Sequence, residues 1–199
     1  MSNCVITKIG PNAPAPNLPA GCKTQNNTPN NTTGGVVGPC GTVVEWAAKV
    51  ADSLANDGGG GWRSGGDYDN RTQNFSSNCG SSLSKDSWDG QYWCTYLVID
   101  AYTLAGIGGV SNEKGDAGVP NMHRHWDSLP GFYTLDYGGG PNQDTIQKVK
   151  PGFAIFFGDD DHVGLVKSIT YDEHGNGTLE TYESNSSAPS HKWPISEWK

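Results

Sequence analysis

Long apolar runs are missing from this 199-residue chain. No stretch approaches the roughly 20 apolar residues that a membrane-spanning helix needs, so membrane insertion is not expected. Basic clusters are missing too. The 13 Lys and Arg are outnumbered by 21 Asp and Glu, giving a formal net charge of −8, and the Lys and Arg form no run. Phosphate contacts need a basic surface, which excludes a nucleic-acid partner. Hydrophobic residues reach only 34% and charged residues only 17%. That balance disfavours a helical bundle and favours strands, turns and polar loops. No Cys-x-x-Cys pair or Cys/His cluster has zinc spacing, so no structural zinc site is expected. The N-terminus has neither a basic start nor an apolar stretch. No signal peptide is read there, and the expectation is export by another route or a signal already removed.

What is present is unevenly distributed. Residues 1–41 hold six Pro and an Asn/Thr-rich tract, and cannot bury enough apolar surface to offset ordering entropy. They are read as an arm or linker, with the folded domain at 42–199. The five cysteines are Cys4, Cys22, Cys40, Cys79 and Cys94. An odd count leaves one thiol outside any pairing scheme. If it is Cys94, the other four allow two disulfides in three connectivities. Disulfides would fit an oxidising, extracellular compartment.

Thr42 followed by Glu45 has capping-box spacing, and Val43, Trp46, Ala47, Val50 and Leu54 share one helical face, which predicts a helix over 42–55. A second helix is predicted over 94–105, with an apolar stripe of Leu97, Val98, Ala101, Leu104 and Ala105, closed by Gly106 and Gly108. A third is predicted over 121–129. Residues 153–157, 163–171 and 178–183 read as strands, with hairpin punctuation at 172–177 and a late edge element at 193–195. Helices followed by antiparallel strands make an α+β class. The loop-rich segment 56–92 is long for a compact domain, as functional surfaces often are.

Three residues carry the chemistry. Cys94 opens the second helix, where a thiolate meets the positive end of the helix dipole and unpaired backbone N–H groups. Those N–H groups would also hold an oxyanion. His162 stands at the entry of an apolar strand, where its ring can reach the sheet edge as a general base. Glu183 and Asn185 close the strand paired with that of His162. Either can accept from the far ring nitrogen and fix its tautomer.

These pieces, in the order Cys, His, Glu-x-Asn, resemble the CHAP family, the cysteine- and histidine-dependent amidohydrolases and peptidases, over about residues 88–187. Gln91-Tyr-Trp-Cys-Thr-Tyr96 resembles the family's Gln-Cys-Thr-aromatic motif with two residues inserted. Asn121-Met-His-Arg-His-Trp126 resembles its Asn-Ala-x-x-Trp helix, one residue longer. Lys150-Pro-Gly-Phe-Ala-Ile-Phe156 resembles Pro-Gly-Asp-Ile-Ala-Val-Phe, with Phe153 in place of Asp. Asp161-His-Val-Gly-Leu-Val166 resembles Gly-His-Val-Ala-Ile-Val, with Asp161 in place of Gly. Thr178-Leu-Glu-Thr-Tyr-Glu-Ser-Asn185 resembles the closing strand.

The resemblance implies a papain-like fold, with the nucleophile helix packed on an antiparallel sheet. It implies hydrolysis of peptidoglycan amide bonds, as N-acetylmuramoyl-L-alanine amidase or endopeptidase. Cys94 would be the nucleophile, His162 the base, and Glu183 and Asn185 the orienting groups. Gln91, Tyr92 and Trp93 would serve substrate or oxyanion, Tyr92 in the manner of the related NlpC/P60 peptidases. Trp88 and Trp93 flank the nucleophile and would contact substrate. Calcium, used by some members, would draw on Asp67, Asp69, Asp86 and Asp89, but their spacing matches no EF-hand loop. The partner implied is peptidoglycan and the expected state a monomer, secreted from a bacterium or encoded by a phage. Sequons such as Asn185-Ser-Ser187 fit that origin, since a glycan there would block the site. Two alternatives stand beside this: an NlpC/P60-type endopeptidase cutting between D-Glu and the diamino acid, and a non-catalytic wall-binding module.

Overall fold

A computed structural model describes residues 35–55, 74–78, 80–83, 94–111, 118–132, 148–158, 160–171, 177–186 and 190–194. Among them the chain is α+β, with three helices and a four-stranded antiparallel sheet. Helix α1 spans Val43–Ala55. Its start is a reciprocal capping box: the Glu45 N–H donates to Thr42 Oγ1 and the Thr42 N–H to Glu45 Oε2, each at 3.1 Å. Both bonds to Thr42, backbone first, lower the Glu45 pKa. Val43, Ala47, Val50 and Ala51 are buried along its inner face.

Helix α2, Cys94–Leu104, departs from the expected single stripe. It is buried nearly all round, from Cys94 through Tyr102, with α1 on one side and the sheet on another. A helix enclosed in this way has no solvent face to keep polar. It ends where Gly106 takes φ 84° and the Ile107 N–H reaches back to the Tyr102 carbonyl at 3.0 Å, satisfying an otherwise orphaned acceptor. Helix α3, Val119–Asp127, begins two residues before the predicted start, with proline in its first turn. Val119, Met122 and Trp126 face inward, and the Trp126 ring packs 4.7 Å from that of Tyr102.

Two short ladders precede the sheet: β1, Val37–Gly38, with β2, Gly41–Thr42, and β3, Phe75–Ser76, with β4, Ser82–Leu83. Residues 36–40 pack on the folded unit. The Val36 N–H donates to the Pro151 carbonyl and that of Cys40 to the Ala105 carbonyl. Gly38 lies so close to Ala105 that a Cβ would sit 2.0 Å from its carbonyl oxygen.

The main sheet runs β5, Ala154–Phe157; β6, His162–Tyr171; β7, Gly177–Tyr182; and β8, Ser190–Pro194. The predicted late element is thus a full edge strand. Alternation divides the sheet into two faces. Val163, Leu165, Ala154, Phe156 and Tyr182 pack toward α1 and α2. Val166, Ile169 and Leu179, with Phe153, Ile155 and Trp193, form a second cluster on the opposite face. A bulge between Val166 and Ser168 lets the long β6 keep both faces filled.

Candidate active site

Cys94 is the first residue of α2, and its thiol is free and buried. Cys40 is disulfide-bonded. Cys4, Cys22 and Cys79 lie outside the described residues, and with them the pairing scheme. His162 is the first residue of β6 and pairs with Phe157, whose ring stacks on the imidazole at 5.8 Å. The Cys94 side chain acts on the His162 ring from close by, raising its pKa. On the other side, Nε2 of His162 meets Oε2 of Glu183 at 2.9 Å. With Nε2 engaged by the carboxylate, Nδ1 is the ring nitrogen left for the sulfur. The ring is only about one quarter exposed and Glu183 is 2% exposed, so this contact is screened little by solvent.

The carboxylate is held at every oxygen. Oε1 accepts from the Thr181 hydroxyl and from the Trp193 indole N–H, the latter at 3.1 Å. That same indole N–H also reaches Thr181 Oγ1 at 3.1 Å. Ser186 Oγ lies 3.4 Å from Oε2 and 2.8 Å from Nε2 of His191. Burial favours a neutral Glu183, but the bonds from His162 and Thr181, with the charges of His162 and His191, overcome it and hold the carboxyl below its ordinary range. Burial likewise disfavours the charged form of His162. The hydrogen bonds to Cys94 and Glu183 and their charges outweigh it, raising the ring to about 9.

Of the two predicted orienting residues, Glu183 reaches the ring. Asn185 lies beyond the end of β7 in a left-handed turn, φ 55°, and among the described residues no hydrogen bond joins it to His162. Gln91, Tyr92 and Trp93, the predicted oxyanion and substrate residues, lie outside the described residues, as do Trp88, Asp67, Asp69, Asp86 and Asp89. Among the described residues no three His, Cys, Asp or Glu side chains gather as a metal site, and no helix is long and apolar enough to cross a membrane.

Sequence reasoning missed Thr181, Ser186, His191 and Trp193. It also missed Gly164, where a Cβ would sit 2.9 Å from Glu183 Cγ. A period-two count back from Glu183 would have put Thr181 on its face, but nothing local points to Trp193. A second His–carboxylate pair lies nearby: Nδ1 of His123 on α3 meets Asp160 at 2.8 Å and 3.0 Å, its ring stacked on Phe156 at 4.2 Å.

Chemically, the arrangement brings a thiol, an imidazole and a buried carboxylate together, a set of groups that suits nucleophilic catalysis. Compared with known proteins, the chain matches no family model, no curated protein and no solved structure.

Proposed function

We propose that this chain is a cysteine hydrolase of peptidoglycan amide bonds, a papain-like enzyme of CHAP type acting as N-acetylmuramoyl-L-alanine amidase or endopeptidase outside the cell. The observation that carries the catalytic part is the meeting of a free thiol at a helix start with an imidazole backed by a buried carboxylate. The motif resemblance carries the choice of peptidoglycan.

In this reading His162 already holds the Cys94 proton before substrate arrives, and the thiolate attacks the amide carbonyl to form a C–S bond. Backbone N–H groups at the start of α2 face the developing oxyanion. Collapse breaks the C–N bond, and His162 returns its proton to the departing amine. His162 then takes a proton from water, whose oxygen attacks the thioester carbonyl. The C–S bond then breaks, His162 returns that proton to the sulfur, and the carboxylic acid product loses its own proton to solvent. Glu183 holds the ring with Nε2–H toward itself, which leaves Nδ1 as the base.

Turbidity clearing of purified cell walls tests this. Wild type should lyse them, while Cys94→Ala and His162→Ala should fold yet lose lysis. Mass spectrometry of released fragments then assigns the bond: a new L-Ala N-terminus marks an amidase, a shortened stem an endopeptidase. Undiminished lysis by folded Cys94→Ala would end the proposal.

A further inference from the structure

We propose that Trp193 and Thr181 are positioning residues that lock the Glu183 carboxylate against His162, so that edge strand β8 is part of the catalytic apparatus. This rests on the Cys–His reading above. The indole is a donor only, and its one N–H sits 3.1 Å from both Glu183 Oε1 and Thr181 Oγ1. The Thr181 hydroxyl spends its proton on the same carboxylate oxygen. Its lone pair therefore receives the indole N–H. The three groups form a closed triangle in which the Thr181 proton goes to Oε1 and the indole N–H is shared between Oε1 and Thr181 Oγ1.

The triangle has geometric consequences. With Oε1 occupied by two donors, the carboxylate cannot turn about its last bond, and Oε2 stays aimed at Nε2. Glu183 and Thr181 are buried, so water is no ready substitute for a lost donor. β-sheet register builds the cluster: Thr181 stands opposite His191, and Leu179 opposite Trp193. The indole also leans on Phe157 at 5.4 Å, and Phe157 stacks on His162. Trp193 thus braces the ring's apolar face and its carboxylate together.

Trp193→Phe keeps an aromatic ring and removes the N–H. Thr181→Val keeps the shape and removes the hydroxyl, while Thr181→Ser keeps the donor. The readout is the rate of Cys94 alkylation by iodoacetamide against pH, followed by mass spectrometry of the Cys94 peptide in the full chain. Wild type should alkylate faster than a model thiol, with an alkaline inflection near 9 from His162. Trp193→Phe and Thr181→Val should each move that inflection down by about one pH unit, since a carboxylate free to turn no longer supports the imidazolium. Thr181→Ser should leave it in place.

A purely structural role predicts lower unfolding midpoints with an unmoved inflection, and that result overturns the proposal. A shift in only one of two folded variants overturns the joint role. If Trp193→Phe does not fold, Thr181→Val against Thr181→Ser decides. A wild type that alkylates like a model thiol, with no histidine inflection, instead sinks the Cys–His reading itself.

Discussion

Glu183→Gln tests the site at its most sensitive bond, because the two side chains share a shape and differ by one charge and one N–H pair. In the wild type Oε1 accepts from Thr181 and Trp193, and Oε2 faces Nε2 of His162 at 2.9 Å. An indole N–H cannot accept, so the amide oxygen of Gln must take the Oε1 place. Its NH2 group then faces Nε2. A ring nitrogen facing a donor must be unprotonated, so the neutral imidazole carries its proton on Nδ1, toward Cys94. That ring has no lone pair to receive the thiol proton.

The magnitudes follow from the titration of the ring. With His162 at about 9, imidazolium outweighs the neutral ring about 30-fold at roughly pH 7.5. In the variant the bond and charge of the carboxylate are gone while burial still opposes the cation. The ring should titrate at or below its ordinary 6.5, leaving it neutral by about 10-fold at the same pH. Trapping a catalytic histidine in the wrong tautomer reduces turnover on the order of 10⁴-fold. Long-range ¹⁵N NMR of the His162 side chain reads both midpoint and tautomer, and wall clearing reads the rate. A midpoint still near 9, or lysis within about tenfold of wild type in the folded variant, would refute the reasoning.

Two further outcomes follow from the same geometry. His162 is raised from 6.5, so its contribution to stability is complete below that pH and is lost as pH rises through about 9, a loss of at most about 3 kcal/mol. Glu183 is lowered, so its contribution is present above the ordinary 4.5 and disappears as pH falls through its folded value. Urea unfolding should therefore weaken toward both extremes, with the alkaline arm flattened in His162→Gln; an alkaline arm unchanged in that variant assigns it elsewhere. Gly164→Ala places a Cβ 2.9 Å from Glu183 Cγ and 3.4 Å from Phe157 Cε2. It should cost about 1–3 kcal/mol in thermal or urea unfolding and slow lysis by displacing the carboxylate. Wild-type stability and lysis in this variant would show that the carboxylate tolerates the displacement.

What could be read from the sequence was local. Thr42 and Glu45 announce the start of α1 by spacing alone, and the hydrogen bonds between them form as that spacing requires. Cys94 at a helix start, His162 at a strand start and Glu183 at a strand end are set by hydrophobic periodicity, which extends over a few residues. Choosing between Glu183 and Asn185 needed the backbone. The chain leaves β7 at Tyr182 and turns left-handed at Asn185, so the strict alternation that places Glu183 on the face of Thr181 does not continue two residues further. The partnership with Trp193 depends on how β8 registers on β7, a non-local choice that no window of sequence contains. The all-round burial of α2 is equally non-local, since it reflects what lies against each side of the helix.

The two sheet faces put the members of the candidate site in different packing environments. Cys94 belongs to the cluster between α1, α2 and the inner face. Thr181, Glu183 and Trp193 act on the opposite face, where Trp193 packs on the second cluster. His162, at the first position of β6, sits where the strand ends and both faces can be reached, so a single ring joins a thiol on one side to a carboxylate on the other. The carboxylate stays buried and is held ionised by His162 first and by Thr181 next. The order of the site thus draws on packing from both clusters, Cys94 in one and Trp193 against the other.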